Sequence, residues 1–133
     1  MNVKELALTA VKAMDNAYAP YSSYRVGAAL LTEDGRVYTG SNIESASHTP
    51  TLCAERTALA KAVSEGERAF AMLAVAGGKD GKIAGAFPPC GVCRQMLSEF
   101  CSPEMPILLV RDADGTADTY TLGELLPLAF KLD

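Results

Sequence analysis

Two cysteine-bearing segments far apart in the chain, Cys53-Ala54-Glu55-Arg56 and Pro89-Cys90-Gly91-Val92-Cys93-Arg94-Gln95, constrain the fold more than any other feature. Three thiols spaced in this way act together only if the fold brings both segments to one point. Three protein ligands leave the fourth position of a tetrahedral zinc ion open, the arrangement of a catalytic site, whereas a structural site fills all four. Glu55 would then stand beside the open position, where a carboxylate can take a proton from water and pass it on.

Each of these residues also has a duller reading. A glutamate in the first turn of a helix is favourable for the helix dipole alone. Cys90-x-x-Cys93 by itself fits a redox pair, half of a structural zinc site, or buried thiols; a redox pair needs no Cys-x-Glu partner, and a structural site needs a fourth ligand. His48 and Cys101 are the spare candidates. His48, in the loop before Cys53, is expected to be solvated or near a substrate, and Cys101, at a helix end, to be a small packing residue. Arg56 and Arg94 each follow a cysteine closely and are expected to donate to the sulfurs, because three thiolates outweigh the charge of Zn²⁺. Surface ion pairing is the commoner fate of an arginine.

The 133 residues, 49% hydrophobic and 21% charged, are enough for a proper core and are read as a single domain over 1–133. A net charge of −4, with Lys and Arg scattered along the chain, disfavours a nucleic-acid substrate. No apolar run approaches a membrane span and the first residues carry no secretory pattern, so the expected location is the cytoplasm, where thiols stay reduced and clustered cysteines signal metal.

Apolar residues at three- and four-residue steps predict an opening helix over Val3–Tyr18, ended by Pro20. Strands are expected at Val26–Leu31 and Arg36–Asn42, joined by an Asp34-Gly35 hairpin. A polar loop leads to a helix from about Cys53 to Ser64. Phe70–Ala76 reads as a buried strand, Gly77–Phe87 as a glycine-rich loop, and Pro89 as the start of a helix through Phe100. Strands at Ile107–Arg111 and Asp118–Thr121 lie too close in sequence for a crossover helix, so they should be antiparallel. Leu122–Phe130 is expected to close the chain as a helix. The order α-β-β-α-β-α-β-β-α predicts a three-layer α/β/α sandwich around a five-stranded mixed sheet.

The cysteine motifs, together with Tyr21-Ser22 through Val26-Gly27-Ala28-Ala29, Gly40-Ser41-Asn42-Ile43-Glu44, Cys53-Ala54-Glu55-Arg56-Thr57-Ala58 and Glu124-Leu125-Leu126-Pro127, give the chain a resemblance to the small homotetrameric cytidine deaminases. The resemblance implies one Zn²⁺ per chain held by Cys53, Cys90 and Cys93, with Glu55 as proton shuttle. It implies that Asn42 and Glu44 bind the ribose hydroxyl and that the backbone of Ala54 meets the pyrimidine. Tyr24 stands where the family often has Phe and implies ring packing on the substrate. Phe130 matches an aromatic that reaches a neighbouring subunit, so a homotetramer with shared sites is implied; core packing is its other reading. The implied reaction converts cytidine and 2′-deoxycytidine to uridine and 2′-deoxyuridine, a step of pyrimidine salvage. Deamination of a cytosine nucleoside antibiotic such as blasticidin S, and a non-catalytic zinc-binding role, are the alternatives. Pro88, Leu128 and the length of the Ala76–Pro88 loop depart from the family pattern at the pocket rim.

Overall fold

The computed structural model describes residues 1–132; Asp133 lies outside the described residues. Its elements are α1 (Val3–Ala13), a 3-10 turn (Met14–Asn16), β1 (Tyr24–Thr32), β2 (Val37–Ser41), α2 (Ala54–Ser64), β3 (Phe70–Lys79), α3 (Gly91–Phe100), β4 (Pro106–Val110), β5 (Ala117–Thr121) and α4 (Leu122–Leu125). The five strands form one sheet in the order β2-β1-β3-β4-β5. Only β3 and β4 are parallel, joined by a crossover through α3, and the β4–β5 pair is antiparallel as expected.

Alternation along the central strands sorts side chains into two cores. Ala28, Leu30, Leu73, Val75, Ile107 and Leu109 face Leu59 of α2 and Leu97 of α3. Ala29, Ala74, Ala76, Leu108 and Val110 face Leu6, Ala7 and Ala10 of α1. The outcome is the three-layer sandwich, with α1 on one side of the sheet and the cysteine-bearing helices on the other.

Three elements differ from the sequence reading. The opening helix stops at Ala13 because Arg25 reaches back to the carbonyls of Met14 (3.3 Å) and Asp15 (2.7 Å), while Tyr18 is drawn into a bridge with Ile43. β3 continues through Gly77 and Gly78, which pair with Val26 and Arg25 of β1 instead of opening a loop. These glycines serve close packing: a Cβ at Gly78 would lie 1.8 Å from the Lys82 carbonyl oxygen. The last helix is only Leu122–Leu125, begun by a capping box of Thr121 and Glu124. Pro127 disfavours helical geometry at Leu126, and Leu128 has φ 54°, so Phe130 rides on an irregular tail and not on a helix.

Candidate active site

Gly40 of β2 lets α2 start against the sheet. A Cβ there would be 2.4 Å from the Ala54 carbonyl oxygen and 2.5 Å from the Ala58 nitrogen, so only glycine admits the first turn of α2 this close. Cys53 is the N-cap of α2 and Cys90 the N-cap of α3; neither helix has a side-chain cap bond. The free N–H groups and positive dipole ends of both helices therefore converge on the thiols, which favours their ionised form.

The Sγ atoms of Cys53 and Cys90 are 3.6 Å apart, those of Cys90 and Cys93 3.4 Å, and all three lie within 4.8 Å of one another. Four ligands at the Zn–S distance of about 2.3 Å define a tetrahedron with edges of about 3.8 Å, so the three sulfurs already occupy close to three of its corners. Arg56 adds positive charge at this point. Its Nη2 donates to the Thr51 carbonyl at 3.0 Å and approaches the Cys53 sulfur at 3.9 Å, and its buried Nε has no hydrogen-bond partner among the described residues. Such an unsatisfied donor beside thiols fits a site whose sulfurs are thiolates in the working protein. The Cys93 thiol donating toward Cys53, with Arg56 and Cys90 adding to it, pulls Cys53 down to about 5 against the cost of burial. Cys93 is pushed up, by Cys53 first and then by burial.

Glu55 is 4% exposed, and burial raises its carboxyl to about 7, with the Cys53 thiolate adding to the effect. It lies on the floor of a cavity of about 220 Å³ that also takes in Cys53, Ala54 and Cys90. Asn42 and Glu44 line the same cavity. The Asn42 side chain accepts from Val26 N at 2.9 Å and donates to the Tyr24 carbonyl at 2.8 Å; Glu44 accepts from the amides of Tyr21 and Ser22, both at 3.0 Å, and from the Ser22 hydroxyl. Both residues thus cap local backbone and are immobilised by it, while an amide and a carboxylate retain unused donor and acceptor capacity for a ligand. These bonds, the Ser22 hydroxyl foremost, hold Glu44 below the usual carboxylate range.

Of the other expected residues, Arg94 departs from its expectation. Arg94 donates to the carbonyls of Pro89 and Leu125, each at 2.7 Å, instead of to a sulfur, and so ties the cysteine loop to the end of α4. Phe130 is 68% exposed and is absent from the lining of its own chain's pocket; Gln95 Nε2 holds its carbonyl at 3.0 Å. That exposure removes the core-packing reading. His48 lies outside the thiol cluster, in a shallow recess with Tyr21, Ser22, Glu44 and Thr51 that adjoins the pocket. Cys101 is 5% exposed and packs in the core on the α2–α3 side, as expected. Sequence reasoning missed Phe87, which lines the pocket and meets Tyr24 with ring centroids 6.1 Å apart. Its only signal was an aromatic residue directly before Pro88-Pro89.

A buried carboxyl beside three convergent thiols suits metal-assisted hydrolysis; a dithiol redox pair would use two thiols and leave the third without a role. The family described as the cytidine and deoxycytidylate deaminase zinc-binding region matches residues 1–109. Among relatives, the cytidine deaminase of Sporosarcina psychrophila is 47% identical over 98% of this chain and 92% of its own length, and that of Halalkalibacterium halodurans 45% identical over 98% and 95%. The crystal structure of cytidine deaminase from Burkholderia pseudomallei superposes with a TM-score of 0.89 at 42% identity, covering 98% of this chain and 100% of that one. The Mycobacterium tuberculosis enzyme gives 0.84 at 39% identity, covering 99% of each chain. The chain belongs to the cytidine and deoxycytidylate deaminase family.

Proposed function

We propose that this protein is a zinc-dependent cytidine deaminase that hydrolyses cytidine and 2′-deoxycytidine at C4, yielding uridine and 2′-deoxyuridine with release of ammonia. The observation that carries the reading is the pairing, in one cavity, of a three-thiol cradle beside Glu55 with a polar wall of Asn42 and Glu44. Cys53, Cys90 and Cys93 would hold one Zn²⁺, which when bound supplies Lewis-acid activation of water for attack on C4.

Glu55 moves the protons. Its carboxylate, buried beside the cysteines, accepts the proton of the attacking water, delivers it to N3 of the ring, and later passes a proton from the new C4 hydroxyl to the amine, which departs as ammonia. Arg56 and the two helix N-termini keep the thiolates ionised. Asn42 and Glu44, already fixed by backbone contacts, bind the sugar hydroxyl without losing further side-chain freedom. The Ala54 backbone meets the pyrimidine, and the Tyr24 ring packs on it. Arg94 acts indirectly, by fixing the loop that carries Cys90.

We also assign the enzyme to pyrimidine salvage in the cytoplasm, where thiols remain reduced, and to a homotetramer with shared sites. The exposure of Leu128, Phe130 and Leu132 (102%, 68% and 87%) supports an intersubunit role for the tail. The direct test is ammonia release from a nucleoside panel combined with metal analysis. One zinc per chain and turnover of cytidine are expected; an active preparation without zinc would sink the assignment.

A further inference from the structure

Phe87 belongs to none of the motifs, yet it lines the substrate pocket and also a second cleft of about 440 Å³ on its other side. Tyr24 and Phe87 are the residues common to both linings, and their rings meet at a tilt of 37°. Packing seats the Phe87 ring on β3: a Cβ at Gly77 would lie 3.1 Å from its Cγ and 3.1 Å from Cγ2 of Val26. Beyond the aromatic pair the second cleft is walled by small residues, among them Gly78, Ala84 and Gly85, and by the charged Lys79, Asp80 and Lys82. The Phe87 ring is thus part of a wall between the pocket and space that could hold a substituent.

We infer that Phe87 is the partition that decides which groups the pyrimidine can carry at C5. The inference rests on the proposed deamination, which fixes the ring's orientation: C4 at the cysteines, N3 at Glu55, and the sugar toward Asn42 and Glu44. The C5–C6 edge is opposite N3 and C2, so it points away from Glu55 and Ala54, and on this inference it is set against the apolar side chains of the lining, which are Val26, Tyr24, Leu52, Phe87 and Pro88. A hydrogen at C5 fits against that wall. A larger group must displace the Phe87 ring toward the second cleft. The ligand class concerned is the 5-substituted cytosine nucleosides, disfavoured by the intact wall and admitted when it is shortened.

The test compares kcat/KM for cytidine, 5-methylcytidine and 5-iodocytidine in the zinc-loaded protein and in Phe87→Ala, Phe87→Leu and Gly77→Ala. The quantity read is each substituted-to-unsubstituted ratio relative to that of the original protein, so the intrinsic reactivity of each nucleoside cancels. The 5-iodocytidine ratio should rise about tenfold or more in Phe87→Ala, the range that one apolar group in a pocket commands, and by less in Phe87→Leu, which also serves should the alanine variant fail to fold. Gly77→Ala, which crowds the ring toward the pocket, should lower it. A merely structural role would change all substrates together. Ratios unchanged within about twofold in every variant that turns over cytidine would overturn the partition and leave the deamination standing. Failure of the original protein to deaminate cytidine would overturn both.

Discussion

At the floor of the pocket, Cys53 and Cys90 cap two helices; the first turn of α2 is locked by packing, with Ala54 at 0% exposure and Glu55 at 4%, and α3 buries Cys93. At the C-terminal end, Leu128, Phe130 and Leu132 stand open to solvent, held by polar contacts such as Gln95 to the Phe130 carbonyl and Lys131 to the Ser98 carbonyl at 2.6 Å. The three thiols and Glu55 of the floor all come from one chain. The tail carries apolar side chains that its own chain leaves in solvent, and the proposed sharing of sites between copies would bury them. Variants at the two ends should therefore fail in different ways.

The largest effects belong to the floor. Cys53→Ala should abolish both zinc binding and turnover, because two thiolates cannot replace a three-ligand cradle; retention of one zinc per chain by elemental analysis would contradict the ligand set. Glu55→Ala should keep its zinc and its fold yet lose at least about 10²- to 10⁴-fold in kcat, the usual worth of one proton-transfer role, with more expected because the residue acts at more than one step. Substantial turnover with zinc bound would show that another group carries the protons.

Next in size is the tail. Deleting residues from Leu128 onward should impair activity while zinc stays bound. Mixing the truncated chain with inactive Glu55→Ala chains should restore part of the activity, since one chain then supplies the floor and the other the cover. A fully active monomer, measured by sedimentation at assay concentration, would break the comparison between floor and tail.

The same contrast explains what could be read in advance. The floor rests on local rules, cysteines at helix starts and a glutamate in the first turn, and its strands follow from alternation and the Asp34-Gly35 turn, so its parts were legible in the sequence. What escaped depended on contacts between distant segments. Gly77 and Gly78 look like loop residues until Phe87 and the Lys82 carbonyl are seen occupying the space where their side chains would be. Arg94 follows a cysteine as Arg56 does, but its partners are the carbonyls of Pro89 and Leu125, and the second of these became available only when the chain turned at Leu126. The last helix was expected to run to Phe130, but the constraint that Pro127 places on Leu126 ends it at Leu125.

The polar wall should respond more mildly than the floor. Asn42→Ala removes a group that bonds both Val26 N and the Tyr24 carbonyl, so it should weaken nucleoside use and also loosen the end of β1. Glu44→Gln should act mainly on the sugar. Each lost hydrogen bond to a buried hydroxyl costs about 1 to 3 kcal/mol in kcat/KM, with a much smaller effect on any slow reaction of free cytosine. Equal losses for nucleoside and free base would remove the sugar contact from both residues.

The smallest expected effect is the pH dependence of the stability that Glu44 confers. The Ser22 hydroxyl, with the backbone amides of Ser22 and Tyr21, holds its folded pKa below the ordinary carboxylate value of 4.5. A depressed pKa means that the folded state favours the ionised form, so the contribution is present above about pH 4.5 and is lost as the pH falls through the folded value. Because the carboxylate is partly exposed, screening keeps the contribution small, below about 1 kcal/mol. Urea unfolding of the original protein and Glu44→Gln, both stripped of metal so that zinc release does not intrude, should show the variant slightly less stable at pH 7, with the difference closing as the medium is acidified. A gap that stayed constant or widened on acidification would mean that Glu44 supports the turn at Tyr21 and Ser22 through packing and not through its charge, leaving less reason to expect a preorganised carboxylate at the sugar end of the pocket.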